Sequence, residues 1–172
     1  MRGSCEARGP GILLRSFPVS NRADVVSLIN NAIGFSPYNA ALGLRAEAVS
    51  KEGLTVVLPY RPELVGNPET GVLHGGVITG LVDASCGLSV FIELKKAVRI
   101  ATLDLRIDYL KPATPPKDVR ARAQCYKLTR QVAFVRAIAF HDDVGDPIAS
   151  AAGTFIIFDD QESTIGRAVS GS

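Results

Sequence analysis

Histidine and cysteine are scarce in this chain, with two and three respectively among 172 residues. Cys5, Cys86 and Cys125 cannot all pair within one chain, and none stands in a CxxC. A disulfide framework is thereby excluded as the basis of the fold, and a reduced compartment is the simplest expectation. His74 and His141 are the only imidazoles, so no cluster has the spacing of a metal site. An excess of one charge is missing too. The balance of 19 basic and 17 acidic residues gives no electrostatic ground for nucleic acid or a membrane surface as partner. Near the N-terminus the only apolar run is Gly11 to Leu14, four residues before Arg15, too short for a secretory signal. Its arginines leave an organelle-targeting peptide open, and a cytoplasmic location is the default expectation.

A hydrophobic share of 47% is ample for one continuous core. A domain of this length buries roughly two-thirds of its unfolded surface. Neither the helical nor the strand period appears over residues 1–19 or from Asp159 to the end. The expected organisation is a flexible N-terminal arm over 1–19, one folded domain over 20–158 and a tail over 159–172.

Within that domain, Ser20 or Asn21 can cap a short helix reaching about Asn31, with Val25, Leu28 and Ile29 as its apolar stripe and Gly34 as its end. An alternating segment from about Leu42, the turn Lys51-Glu52-Gly53 and LTVVLPY read as a hairpin. Arg61 to Thr70 reads as a loop. About five turns of helix then begin near His74 to Gly76 and run through GGVITGLVDASCGLSVFIEL. Asp83 and Glu93 interrupt this most apolar stretch, which favours a buried helix over a membrane span. Four strands follow: ATLDLRIDYL, DVRARAQCYKLT, VAFVRAIAF and PIASAAGTFIIF, read as an antiparallel meander. The absence of a βαβ alternation argues against a Rossmann-like sheet and for an α+β domain whose curved sheet wraps the long helix.

On that helix Gly76, Thr79 or Gly80, Asp83, and Cys86 or Gly87 share a narrow face of small residues, while Val77, Leu81, Ala84 and Leu88 suit the sheet. Asp83 has no cation within four residues in sequence. An unpaired carboxylate in such a setting costs several kcal/mol, so either it has a chemical task or it meets an intersubunit hydrogen bond or a distant arginine. His74-Gly75-Gly76 sits at the helix start. Free N–H groups there point outward with the positive end of the helix dipole, and glycine admits a close carbonyl, as an oxyanion hole requires; a plain turn explains the glycines equally well. Gly75 and Asp83 are eight residues apart, or about 12 Å along a helix. One chain alone cannot bring both to one carbonyl, but an antiparallel two-fold pair of helices can. In the strand TLDLRIDY, Leu103, Leu105, Ile107 and Tyr109 alternate with Thr102, Asp104, Arg106 and Asp108. Thr102 is a candidate to hold water or the Asp83 carboxylate, or is a solvated strand residue.

GVLHGGVITGLVDASCG followed by TLDLRIDYLKP resembles the phenylacetic-acid-degradation (PaaI) type of hotdog thioesterases, with the THEM2-like acyl-CoA thioesterases, over most of residues 42 to 158. The resemblance implies the hotdog fold and hydrolysis of acyl-CoA or a similar thioester. It further implies a homodimer or dimer of dimers with sites at the shared interface, and no metal or redox cofactor. It places the catalytic carboxylate on Asp83, as base or nucleophile, the oxyanion donor on Gly75, the preceding histidine on His74, and a water-orienting hydroxyl on Thr102. A family asparagine falls on Asn67, seven residues before His74 and one further than the usual spacing, facing substrate, water or neither. Lys95, Lys96, Arg99, Lys111, Lys127 and Arg130 are candidates to meet coenzyme A phosphates. Hydration of an enoyl thioester with His74 as base, or acyl-thioester binding without turnover, are the alternatives.

Overall fold

The computed structural model describes residues 22–95 and 98–158, so the arm, the tail, the Ser20 or Asn21 cap, Cys5 and Lys96 lie outside the described residues. Helix α1 spans Arg22–Phe35 and buries Ile29 and Ile33. It runs through Gly34, which does not end it. The chain stops at Ser36 instead, whose side chain accepts from the Asn39 N–H and caps a second helix, α2, Pro37–Leu42. Proline at the first helical position and Gly43 in the left-handed region (φ 70°) bound it. Six residues are too few for a periodic signal, so this helix leaves no mark in the hydrophobic pattern.

Strands β1 (Arg45–Ser50) and β2 (Gly53–Leu58) form the expected hairpin around Lys51-Glu52. One turn of 3-10 helix, Pro62–Leu64, and a small antiparallel pair, β3 (Val65–Asn67) and β4 (Val72–Leu73), occupy the segment read as a loop. Helix α3, Gly75–Leu94, follows at once. The last four strands are β5 (Ile100–Tyr109), β6 (Val119–Leu128), β7 (Val132–Phe140) and β8 (Ala149–Ile157).

These strands join the first hairpin in one six-stranded antiparallel sheet of order β1-β2-β6-β7-β8-β5. The simple meander is therefore corrected. β6, β7 and β8 are successive neighbours, but β5 pairs with β8 at the edge and β2 takes the free side of β6. α3 lies mainly across β6, β7 and β2 and more sparsely on β5 and β8. The sheet face beneath it carries many alanines: Ala121, Ala123, Ala133, Ala137, Ala139 and Ala151 are all buried. Short side chains let the helix sit close, and the larger volumes come from Ile78, Leu81, Val82 and Leu88. The buried side of α3 includes the expected Leu81 and Leu88 and extends beyond the expected face. Val77 and Ala84 are half-buried, whereas Ser85 and Ser89 are buried, each hydroxyl donating to a carbonyl of its own helix, of Leu81 (2.6 Å) and Cys86 (2.7 Å). α3 is long and apolar enough to cross a membrane, but here it is the core helix of an α+β hotdog arrangement.

Candidate active site

Two glycines in succession give α3 the softest possible start, and the structure ties them down group by group. His74 is the N-cap, with its ring Nδ1 accepting from the Gly76 N–H at 2.9 Å. The His74 carbonyl accepts from Val77 N–H at 3.0 Å. The Gly75 carbonyl accepts from the Tyr109 hydroxyl at 2.8 Å and from Thr79 Oγ1 at 3.2 Å. Gly75 N–H alone in this turn has no partner among the described residues, and a helix N-terminus presents such a donor with the positive end of its dipole. Of the two glycine amides at the helix start, that of Gly76 is thus consumed by the histidine, and that of Gly75, read as the oxyanion donor, is free among the described residues.

Asp83 lies two turns further along, half-buried and in no ion pair among the described residues. Thr102 Oγ1 donates to its Oδ1 at 2.8 Å. Strict alternation on β5 would have turned Thr102 to the opposite face from Tyr109, yet both reach α3. The register shifts between Thr102 and Asp104, so that Thr102 pairs with Phe155 and Asp104 with Thr154. That extra residue, Leu103, resets the phase of the strand. Gly153 on β8 makes room for it, because a Cβ there would stand 2.6 Å from the Asp104 carbonyl oxygen. Of the readings left open for Thr102, the structure has the bond to Asp83, by a route the strand pattern did not contain.

The small-residue face of α3 is divided between uses. At Gly80 a Cβ would meet the Tyr38 hydroxyl of α2 at 2.9 Å, and at Gly87 it would meet Phe155 at 3.4 Å, so these two glycines are explained by packing within the chain. Cys86 is buried on the core side. Burial first, then the negative Asp83, and then Cys125, push its thiol up to about 12.

Asn67 is not brought to these groups. Its side-chain oxygen accepts from Glu69 N–H at 2.9 Å and its carbonyl from Gly71 N–H at 2.9 Å, closing the β3–β4 turn. Of the basic candidates, Lys111 is ion-paired with Asp146 and Arg99 lies over the Phe158 ring at 5.2 Å. Beside Gly75 opens a cavity of 340 Å³ lined by Val72, Leu73, Ile78 and Ile148 and also by Tyr109 and Lys111.

A family profile described as "Thioesterase superfamily" matches residues 70–148, the span that runs from the β3–β4 turn through β4, α3, β5, β6 and β7 to the residue before β8. The medium/long-chain acyl-CoA thioesterase YigI of Escherichia coli (strain K12) is 31% identical over 134 residues, 70% of this chain and 85% of that protein. A crystal structure of a Pseudomonas aeruginosa protein superposes with a TM-score of 0.70 at 44% identity, covering 77% of this chain and 98% of that one. A mutant form of the phenylacetic acid degradation protein PaaI from Thermus thermophilus shares the fold, with a TM-score of 0.61 at 24% identity over 72% of this chain and 100% of that one. This chain belongs to the hotdog-fold thioesterase superfamily.

Proposed function

We propose that the protein hydrolyses acyl-CoA or closely related thioesters at sites shared between two subunits, in the manner of the PaaI and THEM2-like group. The observation that carries this reading is the combination on one helix of an unengaged N-terminal N–H at Gly75 and a carboxylate at Asp83 held by the Thr102 hydroxyl. The Gly75 N–H receives the thioester carbonyl oxygen and stabilises the negative charge that grows on it in the transition state. Asp83 of the facing subunit either takes a proton from the water that attacks the carbonyl carbon, or attacks that carbon itself to form an anhydride that water then hydrolyses; in both cases the C–S bond breaks, the thiolate leaves and the free acid is released. About 12 Å of helix separates the two groups within one chain, so an antiparallel pair of α3 helices supplies both to one carbonyl.

His74 acts through the helix end. Its Nδ1 is committed to the Gly76 N–H, which supports a cap that leaves Gly75 as the donor and weighs against the base of a hydratase. The apolar walls of the cavity beside Gly75 suit an aliphatic acyl chain, in keeping with the medium/long-chain substrates in the name of the E. coli relative. Asn67 takes no catalytic part in this scheme.

The test mixes two inactive variants. Gly75→Pro removes the N–H at a first helical position, where proline is tolerated, and His74 before it already has an extended ψ of 133°. Reassorted with Asp83→Asn, half of the dimers are hybrids and each has one intact site of two, so about a quarter of the parent activity should return. No recovery, with exchange of subunits verified, rejects the shared site. No hydrolysis by the parent of any short, medium, long or aryl acyl-CoA rejects the thioesterase reading.

A further inference from the structure

We infer that Tyr109 is a positioning residue for the Gly75 N–H, an inference that rests on Gly75 being the oxyanion donor. Tyr109 ends β5 in the apolar row of that strand, and its ring lies against Gly75, where an added Cβ would meet its hydroxyl at 3.4 Å and Cζ at 3.5 Å. The side chain is 52% exposed, so solvent was available to its hydroxyl. It donates instead to the Gly75 carbonyl at 2.8 Å and stands 2.7 Å from Thr79 Oγ1. A phenylalanine would supply the same ring contact; what the hydroxyl adds is a strut from the sheet to the helix start.

That strut acts at the weakest place of the turn. The peptide between Gly75 and Gly76 joins two residues without side chains, whose backbone rotates more freely than any other pair. Its N–H end is held by His74 Nδ1 and its carbonyl end by the Tyr109 and Thr79 hydroxyls. With both ends held, Gly75 keeps one orientation, and its own N–H faces outward unpaired. Tyr109 also lines the cavity beside Gly75, but its hydroxyl is engaged with the Gly75 carbonyl and Thr79 and takes no part in the reaction at the thioester carbonyl in this scheme. Its contribution is geometric, and it appears where an oxyanion donor matters most, in the transition state.

Tyr109→Phe in the full chain tests this with two readouts. On the best acyl-CoA thioester, kcat should fall about 3- to 10-fold, as for loss of one neutral hydrogen bond, with KM within about twofold. Amide hydrogen exchange at Gly76, whose N–H is bonded to His74 Nδ1, should quicken while the rest of α3 keeps its protection. Tyr126→Phe, an equally exposed tyrosine on β6 beneath Arg136, should leave both readouts unchanged. Should Tyr109→Phe fold poorly, Thr79→Val removes the neighbouring hydroxyl and should give a smaller change of the same kind. Unchanged kcat together with unchanged exchange overturns the inference, as does a parallel loss of kcat, KM and thermal stability. If the parent hydrolyses no thioester, the functional reading fails by itself, and glycine exchange in Tyr109→Phe alone decides whether the strut exists.

Discussion

Thr102→Val removes the hydroxyl that meets Asp83 while keeping the volume and the β-branched shape that a strand prefers. The bond is 2.8 Å long and its acceptor is a carboxylate oxygen; bonds to charged groups contribute about 1.5–3 kcal/mol. Thr102 is exposed, which places it at the low end of that range. Without that donor the carboxylate is free to rotate away from the attack geometry, because the half-buried Asp83 has no ion-pair partner to hold it in place among the described residues. We expect kcat to fall about 10-fold in Thr102→Val and to stay within about threefold of the parent in Thr102→Ser. The assay is steady-state release of thiol from an acyl-CoA, with melting curves of the same preparations. In an Asp83→Asn background the Thr102→Val change should cost nothing further, since the two groups act as a unit. Parent-like kcat in Thr102→Val, or an equal additional loss in the double variant, refutes the role given to this bond.

Gly153→Ala should crowd the Asp104 carbonyl at the β5 register shift, lower stability by about 1–3 kcal/mol and reduce kcat by moving Thr102; an unchanged melting temperature and rate would refute the account of the shift. Cys86 should resist alkylation in the folded protein, and its raised pKa has a definite sign in stability. Unfolded, the thiol ionises near 9.0, while folded it does so at about 12. The stability from keeping it neutral is therefore fully present below pH 9.0 and lost as pH rises toward 12, at up to about 1.4 kcal/mol per pH unit. Chemical denaturation of the parent and of Cys86→Ala across that range should show a steeper alkaline decline in the parent, and parallel curves would contradict it.

Asp83 and the His74-Gly75 start of the long helix were legible because each is a local anomaly: a carboxylate in an apolar helix, and glycines where a helix begins. The bond from Thr102 to Asp83 was legible as chemistry but not as geometry. Nothing in TLDLRIDY signals the extra residue at Leu103, since the space for it comes from Gly153, far away in sequence and opposite only in the sheet. Tyr109 stood in the sequence only as a member of an apolar row, which hides what its hydroxyl meets. The site of β5 beside β8 was out of reach for a similar reason, because edge and centre in a sheet are decided by long-range pairing. The extension of the buried face of α3 to Ser85 and Ser89 was hidden because these serines satisfy themselves on their own helix, whereas a polarity pattern scores them as exposed.

The proposed hydrolysis depends on the Asp83 anion. Asp83→Asn keeps the volume and one oxygen that can accept from Thr102, and removes the charge that base and nucleophile both require. Its kcat on the best thioester, measured beside melting and sedimentation of the same sample, should fall about 10²- to 10⁴-fold while fold, assembly and binding of a non-hydrolysable acyl thioester persist. A well-folded Asp83→Asn protein turning over at near the parent rate would contradict the account.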